Sequence, residues 1–210
     1  MHEPNGLLAV GGSLSPSWLI SAYRHGIFPW FGEDDPILWW SPDPRGVLWP
    51  HAFHASRRLQ RSIRSRGYHS QTNRAFTAVV AGCAAPRGTL SGTWITAPMR
   101  VAYIALHRLG VAHSVEIYQQ EQLVGGLYGV QVGGVFFAES MFSVQTDASK
   151  AALLALVGQA KERGIELIDT QMGSPHLASL GGTVMPRSAF LTELTRLIEQ
   201  PTPAWPRPPT

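Results

Sequence analysis

Three polar side chains stand out because they interrupt apolar runs that have the pattern of β-strands. Glu139 ends the run VFFAE, and Asp169 and Gln171 lie within LIDTQ. A carboxylate inside an apolar strand is unfavourable unless it is paired or serves a site, and its shifted pKa is typical of functional positions. In an extended strand Asp169 and Gln171 point to the same face. We interpret all three as candidate catalytic residues, although each could instead cap a strand end or satisfy buried backbone.

Other kinds of site have no motif in the chain. There is no Walker A loop, no GxGxxG at a strand–helix junction, no His/Cys metal cluster and no GxSxG nucleophile elbow. The single cysteine, Cys83, excludes an internal disulfide framework, and its apolar spacing predicts a place in a core. We therefore expect no metal and no cofactor.

The arginines are segregated from the acids. Residues 44–115 contain no Asp or Glu but hold ten arginines, although the net charge of the chain is only +3. Four of them, Arg57, Arg58, Arg61 and Arg64, fall on a predicted helix over 55–66. The positive electrostatic potential of this segment favours nucleic acid or another polyanion as partner, and these four arginines are candidate phosphate contacts. A solvated helix face without a partner remains the alternative.

The remaining elements predict a mixed α/β (α+β) fold in which the sheet is mostly antiparallel and flanked by helices. Residues 1–50 have an irregular, Trp- and Pro-rich pattern that predicts a small β-rich N-terminal domain. Residues 51–200 place two helices before three antiparallel strands, a helix (149–163) and a further strand, an order typical of N-acetyltransferase-like domains. Residues 201–210 are half proline and are expected to be a disordered tail. No signal peptide or membrane span is evident, so we expect a cytoplasmic monomer that does not bind a membrane.

Several strings resemble one known family, the leucyl/phenylalanyl-tRNA–protein transferases. They include YRHGIFPWF, PILWWSPDPRGVLWP, GTWIT, LVGGLYGV, FFAESMFS and LIDTQ, and the likeness runs from about residue 3 to 195. The resemblance implies transfer of Leu, Phe or, less readily, Met from charged tRNA to proteins with N-terminal Arg or Lys, which marks them for degradation in the bacterial N-degron pathway. It implies an acetyltransferase-like catalytic domain that uses neither metal nor coenzyme A.

The resemblance also assigns residues. Glu139, Asp169 and Gln171 match the family's catalytic positions, and Trp30 and Trp94 match aromatic residues near the terminal adenosine of the tRNA. Six apolar residues fall where the family forms the pocket for the aminoacyl side chain: Leu127, Phe136, Met141, Leu153, Leu156 and Ile168. Leu127 stands where some relatives have methionine, which changes the shape of the pocket and keeps its apolar character.

The chemistry of such a transfer fits these residue types. An aminoacyl ester is already activated, so the enzyme needs to align a neutral α-amine on the ester carbonyl. We expect Asp169 to hold the Gln171 carboxamide so that its oxygen accepts a hydrogen bond from the amine, and Glu139 to attract the cationic acceptor.

Three other functions stay open on the residues alone. A non-catalytic RNA-binding module explains the arginines but leaves Glu139, Asp169 and Gln171 unexplained. An aminoacyl-tRNA-dependent ligase of cell-wall precursors usually carries the fold twice, for which 210 residues is short. An ordinary acetyltransferase needs a glycine-rich pyrophosphate loop, which the junction AESMFSVQTDASK lacks.

Overall fold

A computed structural model describes residues 5–86 and 93–206 of the chain. Arg87, one of the ten arginines, and residues 207–210 of the predicted tail lie outside the described residues. The helices are α1 (Pro16–Arg24), α2 (Arg57–Ser65), α3 (Phe76–Ala84), α4 (Ala97–Arg108), α5 (Ala148–Arg163), α6 (Pro175–Ala178) and α7 (Arg187–Leu197). The strands are β1 (Leu7–Val10), β2 (Phe28–Pro29), β3 (Leu38–Trp40), β4 (Arg45–Leu48), β5 (Tyr68–Thr72), β6 (Ala112–Gln119), β7 (Gln122–Val132), β8 (Val135–Ser143), β9 (Leu167–Gln171) and β10 (Thr183–Met185).

A seven-stranded sheet organises the described part of the chain. Its strand order is β10-β4-β9-β8-β7-β6-β5, and β8–β9 is the parallel pair within it. The strands β6, β7 and β8 form the antiparallel meander that alternation and glycine turns predict. The mixed α/β class predicted from the sequence is confirmed.

The two faces of this sheet are covered by different helices. Alternation along β8 sends Phe136 into a cluster with α2 and α5, and Phe137 into a cluster with α1, α3, α4 and α7. Both rings are fully buried. Because helices cover both faces, the interior strands β8 and β9 begin with the apolar residues 135–138 and 167–168, and a buried polar side chain beside them is exceptional.

The predicted helices over 55–66 and 149–163 appear as α2 and α5. The Ser56 hydroxyl caps α2 by accepting a hydrogen bond from the Leu59 amide at 3.2 Å, and α5 ends at Gly164 with φ 68°. Sequence patterns missed β5, α6 and β10 because β5 is polar and largely exposed and the other two have four residues or fewer. Within the described ranges, no helix is long and apolar enough to span a membrane.

The predicted boundary of the N-terminal domain at residue 50 differs from the structure. The small sheet β1-β3-β2 ends at Trp40, whereas β4 is an interior strand of the large sheet between β10 and β9. All four β4 residues are buried, which is typical of an interior strand. The separation therefore lies between Trp40 and Arg45, and β4 belongs to the sheet that carries the candidate catalytic residues.

The expectation of a disordered tail is wrong for residues 201–206. Trp205 is only 7% exposed; its ring stacks on His113 at 4.6 Å and lies 5.8 Å from the Phe136 ring. Its indole N–H donates to the Gln131 carboxamide oxygen, and Arg163 donates to the carbonyl oxygen of Ala204 at 2.7 Å. Proline content prevents a helix here, but one buried tryptophan provides enough apolar contact to hold the segment on the sheet.

We expect Trp205→Ala to lower the free energy of unfolding by about 3 kcal/mol, because it empties a buried aromatic site. Urea denaturation followed by circular dichroism measures this loss. Trp18→Ala, at a tryptophan that is 49% exposed, is the matched control and should have a clearly smaller effect. Equal losses in both variants would contradict the docking of the C-terminal segment.

Candidate active site

The candidate site lies where strands β8 and β9 separate. Their parallel pairing ends at the pair Phe137–Asp169, and Glu139 and Gln171 each lie two residues further along their own strand. Gly129 of β7 pairs with Ala138, and Tyr128 pairs with Ser140, so Glu139 is the extra residue of a β-bulge. A bulge redirects a side chain and interrupts the ladder. The bulge therefore explains how an otherwise apolar strand presents a carboxylate at the opening between β8 and β9.

A chain of hydroxyl groups supports the Glu139 carboxylate. The Tyr103 hydroxyl on α4 donates to Glu139 Oε2 at 2.6 Å, and the Tyr23 hydroxyl on α1 lies 2.9 Å from that of Tyr103. Because Tyr103 uses its one hydroxyl hydrogen on the carboxylate, Tyr23 donates to Tyr103. Burial raises the pKa of both tyrosines well above the usual value, so both remain donors at neutral pH. The N-terminal helix α1 thereby takes part in the site.

Glu139 is set up to titrate near neutrality. Burial raises the pKa of Glu139 to about 7; the hydroxyl groups of Tyr103 and Tyr23 and the Arg45 charge oppose this, while the Asp169 charge adds to it. The carboxyl group is thus protonated below about pH 7 and negative above it. A cationic group placed beside it favours the ionised form.

Asp169 forms a buried ion pair with Arg45 of β4. The Arg45 Nε donates to Asp169 Oδ1 at 2.8 Å and Nη2 donates to Oδ2 at 2.6 Å, and both side chains are 0% exposed. The guanidinium lies between the rings of Phe28 (5.0 Å) and Phe190 (4.5 Å). This bidentate, aromatic-flanked geometry fixes the Asp169 carboxylate in one orientation.

The position of Gln171 differs from the expectation in two ways. Its φ of 58° is left-handed, so the strand alternation assumed for Asp169 and Gln171 stops before Gln171. Asp169 Oδ1 accepts its bond from the Gln171 backbone N–H at 2.9 Å, and both carboxylate oxygens already receive Arg45 donors. Asp169 therefore does not hold the Gln171 carboxamide as expected. It accepts a hydrogen bond from the Gln171 backbone N–H and fixes the backbone at this position.

Several buried polar atoms of the residues around this opening have no hydrogen-bond partner among the described residues. They include Glu139 Oε1, Gln171 Nε2, Tyr128 Oη and Arg45 Nη1. Leaving a buried polar atom unpaired is unfavourable, and such atoms are rare in folded proteins. Glu139 Oε1 and Gln171 Nε2 belong to partly buried side chains and offer one acceptor and one donor to a ligand at this opening.

The apolar cluster beneath α5 lies on the face of the sheet opposite the cluster that contains Tyr23 and Tyr103. It contains all six residues predicted for the aminoacyl pocket: Leu127, Phe136, Leu153, Leu156 and Ile168, which are buried, and Met141, which is partly buried. Leu127 pairs with Met141 across β7 and β8, and Phe136 pairs with Ile168 across β8 and β9. The structure therefore brings these six residues together on one face of the sheet.

The two predicted tryptophans also share one surface. Trp30 and Trp94 line a cavity of about 690 Å³ together with Trp40. The Trp30 ring is 41% exposed and meets Trp40 edge-on at 5.6 Å. An exposed indole beside an open cavity can stack on a nucleic-acid base.

The four arginines of α2 point away from the protein. Arg57, Arg58, Arg61 and Arg64 are exposed, while Leu59 is buried in the cluster beneath α5. The Ser62 hydroxyl donates to Asp147 at 2.8 Å, which attaches α2 to the start of α5. Arg57 also borders a cavity of about 680 Å³ with His54 and Lys161. A cationic surface thus extends from α2 onto α5.

No group of three or more His, Cys, Asp or Glu side chains capable of holding a metal ion occurs within 5–86 and 93–206. The candidate site is built from the Arg45–Asp169 ion pair, the Glu139 carboxyl group with its two tyrosine hydroxyl groups, and the Gln171 carboxamide.

Comparison with known proteins decides the family. The family model of the leucyl/phenylalanyl-tRNA protein transferases matches residues 47–195, and that of the N-terminal domain of the same family matches residues 12–43. Curated leucyl/phenylalanyl-tRNA–protein transferases are 53% identical in Stutzerimonas stutzeri and 56% identical in Nitrosospira multiformis. The first alignment spans 97% of this chain and 90% of its relative, and the second 93% and 84%.

The chain belongs to the leucyl/phenylalanyl-tRNA–protein transferase family. It is an aminoacyltransferase, as the sequence resemblance implies. Its two family matches meet between residues 43 and 47, where the structure passes from the small sheet to β4.

Solved structures with a similar fold are distant in sequence. A GCN5-related N-acetyltransferase from Kribbella flavida aligns with 79% of this chain and 58% of its own at 13% identity, with a TM-score of 0.43. The L-PGS structure from Bacillus licheniformis aligns with 85% and 69% at 12% identity, with a TM-score of 0.49.

Sequence reasoning misses three residues of this family member's site. Arg45 stands out only as part of the basic segment, and Tyr103 and Tyr23 do not stand out. A buried tyrosine hydroxyl needs a hydrogen-bond partner, so Tyr103, which lies among the buried apolar residues of α4, is the signal that points to the site. The position of Arg45 at the start of the otherwise apolar strand RGVL is a second such signal.

Proposed function

We propose that the protein transfers leucine, phenylalanine or, less readily, methionine from aminoacyl-tRNA to the α-amine of proteins that begin with Arg or Lys, and that this marks them for degradation. The observation that carries the proposal is that Glu139, Asp169 and Gln171 lie where β8 and β9 separate, on the two strands that also carry Met141 and Ile168 of the cluster beneath α5. An aminoacyl ester presents an apolar side chain to such a cluster. A cationic N-terminus presents N–H donors to such a carboxylate. We place the reaction in the cytoplasm, where charged tRNA is used.

The way the aminoacyl-tRNA donor binds follows from the shape and polarity of the residues that it contacts. The aminoacyl side chain packs against Met141, Leu127 and Phe136, and the terminal adenosine stacks on the surface that carries Trp30 and Trp94. A pocket without polar atoms discriminates by only about 1–3 kcal/mol per methylene, so one pocket accepts leucine, phenylalanine and methionine.

The acceptor side uses charge. Glu139 lies among hydroxyl groups, and its Oε1, which has no hydrogen-bond partner within the described residues, accepts a hydrogen bond from the acceptor's α-amine. The approaching cation favours the ionised form of Glu139, and in return the carboxylate holds the amine against the ester carbonyl.

The bond change needs no covalent enzyme intermediate. The lone pair of the neutral amine attacks the ester carbonyl carbon, a C–N bond forms, and the bond from that carbon to the ribose oxygen breaks. The proton lost by the nitrogen passes through water to the leaving ribose oxygen. A carboxamide is a very weak base, so Gln171 orients the reacting groups by hydrogen bonding, and Arg45 with Asp169 holds its backbone in place.

The exposed arginines of α2 support an RNA partner. We expect the double variant Arg57→Ala/Arg61→Ala to raise KM for charged tRNA and to make the slope of log affinity against log salt shallower by about one to two, because about one counterion is released per phosphate contact. Transfer from a minimal aminoacyl-adenosine, which lacks the tRNA body, serves as the control and should barely change. Equal losses with both donors would place these arginines outside the RNA interface.

The pKa of Glu139 predicts a pH dependence. Between pH 6 and 8 the carboxyl group loses its proton, so kcat/KM for an Arg-peptide should rise with pH as Glu139 becomes negative. The acceptor α-amine, with an ordinary pKa near 8, also loses its proton as pH rises. Glu139→Gln should therefore keep the amine part of the profile and lose the part centred near pH 7. Superimposable pH profiles for the two proteins would mean that Glu139 ionisation does not govern transfer.

One assay separates the proposed function from its competitors. The protein is mixed with Leu-tRNA labelled in the amino acid and a peptide that begins with arginine; parallel mixtures contain a cell-wall precursor as acceptor or acetyl-CoA as donor. We expect label in the Arg-peptide alone. Transfer to the precursor would favour the peptide ligase, acetylation would favour an acetyltransferase, and tRNA binding without transfer would reduce the protein to an RNA-binding module.

A further inference from the structure

Gly46 of β4 lies beside the turn that carries Gln171. The two residues pair across β4 and β9, and the next pair is Val47 with Asp169, so Thr170 is an extra residue in β9. The chain then turns sharply: Gln171 has φ 58°, and the Met172 amide donates back to the Thr170 carbonyl oxygen at 2.6 Å. The segment after the candidate catalytic carboxamide thus folds back over β4.

This fold-back leaves no room for a side chain at position 46. A Cβ on Gly46 would lie 2.6 Å from both the Met172 carbonyl oxygen and the Gly173 nitrogen, and closer still to the Met172 carbonyl carbon. These are backbone atoms, which cannot rotate aside as a side chain can. Gly46 does not have a positive φ, so its place is determined by the close approach of two backbones and not by conformational freedom.

We propose that Gly46 is a positioning residue for Gln171. Its bare backbone lets residues 172–173 lie directly on β4, and this contact fixes the left-handed turn from one side. From the other side, Asp169 Oδ1 accepts the Gln171 N–H at 2.9 Å. The carboxamide is therefore held by constraints on its own backbone, which explains how Gln171 Nε2 stays buried without a partner of its own among the described residues. This inference rests on the proposed function only in assigning Gln171 to the transfer.

The substitution Gly46→Ala tests the proposal. The added Cβ has to push the backbone of 172–173 outward by a fraction of an ångström or more, and a misplacement of about 1 Å can lower a rate about 100-fold. We expect kcat for transfer to fall about 10- to 100-fold while KM for charged tRNA stays within about twofold, since binding depends on other elements.

The matched control is Gly110→Ala. Gly110 has φ 73°, and a Cβ added there would have no atom within 4 Å, so alanine strains the local turn and lowers stability without displacing a neighbour. Its kcat should equal that of the unchanged protein. A similar fall of kcat in both variants would trace the effect to lost stability and overturn the proposal.

A double variant separates positioning from general damage. If Gly46 acts through the carboxamide, Gly46→Ala adds nothing to kcat once Gln171 is already alanine. A further tenfold fall in the double variant would overturn the proposal, because the glycine would then act on something other than Gln171. Unchanged kcat in the single variant would overturn it equally.

Hydrogen exchange provides a readout that does not need activity. The Gln171 amide is protected by its bond to Asp169, and we expect Gly46→Ala to speed its exchange at least tenfold. Unchanged exchange overturns the proposal whether or not the protein transfers leucine. If Gly46→Ala speeds the exchange but the protein without this substitution transfers nothing, the proposed function is rejected and the positioning role of Gly46 is kept.

A second pair of variants covers the case in which Gly46→Ala does not fold. A Cβ on Gly173 would lie 2.5 Å from the Val184 Cγ1 methyl, so Gly173→Ala presses on the same segment from β10, where the β-branched side chain is stiff. We expect a several-fold fall in kcat that Val184→Ala restores in the double variant. No fall, or a fall without restoration, overturns the proposal.

Discussion

Asp169→Ala is expected to lower the free energy of unfolding by about 3–5 kcal/mol, the range measured when one partner of a buried ion pair is removed. The Arg45 guanidinium would remain fully buried with no carboxylate beside it. Domains of this kind are stable by only about 5–15 kcal/mol, so this one substitution removes a large share of the total. Urea denaturation measures the change.

The double variant Arg45→Met/Asp169→Leu tests the cause of this loss. It replaces both charges with apolar side chains, and we expect it to recover most of the stability because no unpaired charge is left in the interior. Arg196→Ala, which breaks an exposed pair with Glu166, should change stability little. A double variant as unstable as the single one would mean that shape and packing, and not the unpaired charge, explain the effect.

Gln171→Ala is expected to lower kcat about 100-fold, the size of loss that a misplacement of about 1 Å at a reacting centre causes. Charged-tRNA binding should stay nearly intact, since the carboxamide lies at the opening between β8 and β9 and the arginines of α2 lie elsewhere. Single-turnover transfer rates and filter binding of Leu-tRNA measure the two effects. Gln122→Ala, at an exposed glutamine, is the matched control and should leave kcat unchanged.

Asp169→Asn allows the coupling between the two residues to be measured. Because Asp169 fixes the Gln171 backbone, Asp169→Asn and Gln171→Ala should disturb the same arrangement. The double variant should therefore transfer leucine little more slowly than the slower of the two single variants. Fully additive losses would mean that Asp169 contributes to the transfer independently of Gln171.

Much of the arrangement could be predicted from the sequence because local patterns determine it. Local patterns include the Ser56 cap of α2, the Gly164 end of α5 and the alternation in β6 and β7. Each depends on near neighbours in the chain. The buried carboxylates were recognisable for the same reason, since Glu139 and Asp169 interrupt apolar strands.

The features that could not be predicted from the sequence depend on contacts between residues far apart in the chain. Arg45 and Asp169 are 124 residues apart, and nothing local to either indicates that they pair. The alternation rule for LIDTQ assumes an extended backbone, which the close approach of Gly46 to Met172 and Gly173 interrupts. A proline-rich composition likewise predicts disorder for the C-terminal segment, and Trp205 overrides it because its ring finds His113 and Phe136 on distant strands.

The most direct measurement of the central claim is mass spectrometry of peptides incubated with the protein and Leu-tRNA. The peptides share one sequence and begin with Arg, with Lys, with Ala or with α-N-acetylated Arg. We predict that the Arg and Lys peptides gain one leucine at the α-amine and that the other two stay unmodified, because the transfer needs a free amine and a cationic first residue. Equal labelling of the Ala peptide, leucine on a side chain, or no labelled peptide at all would contradict the account.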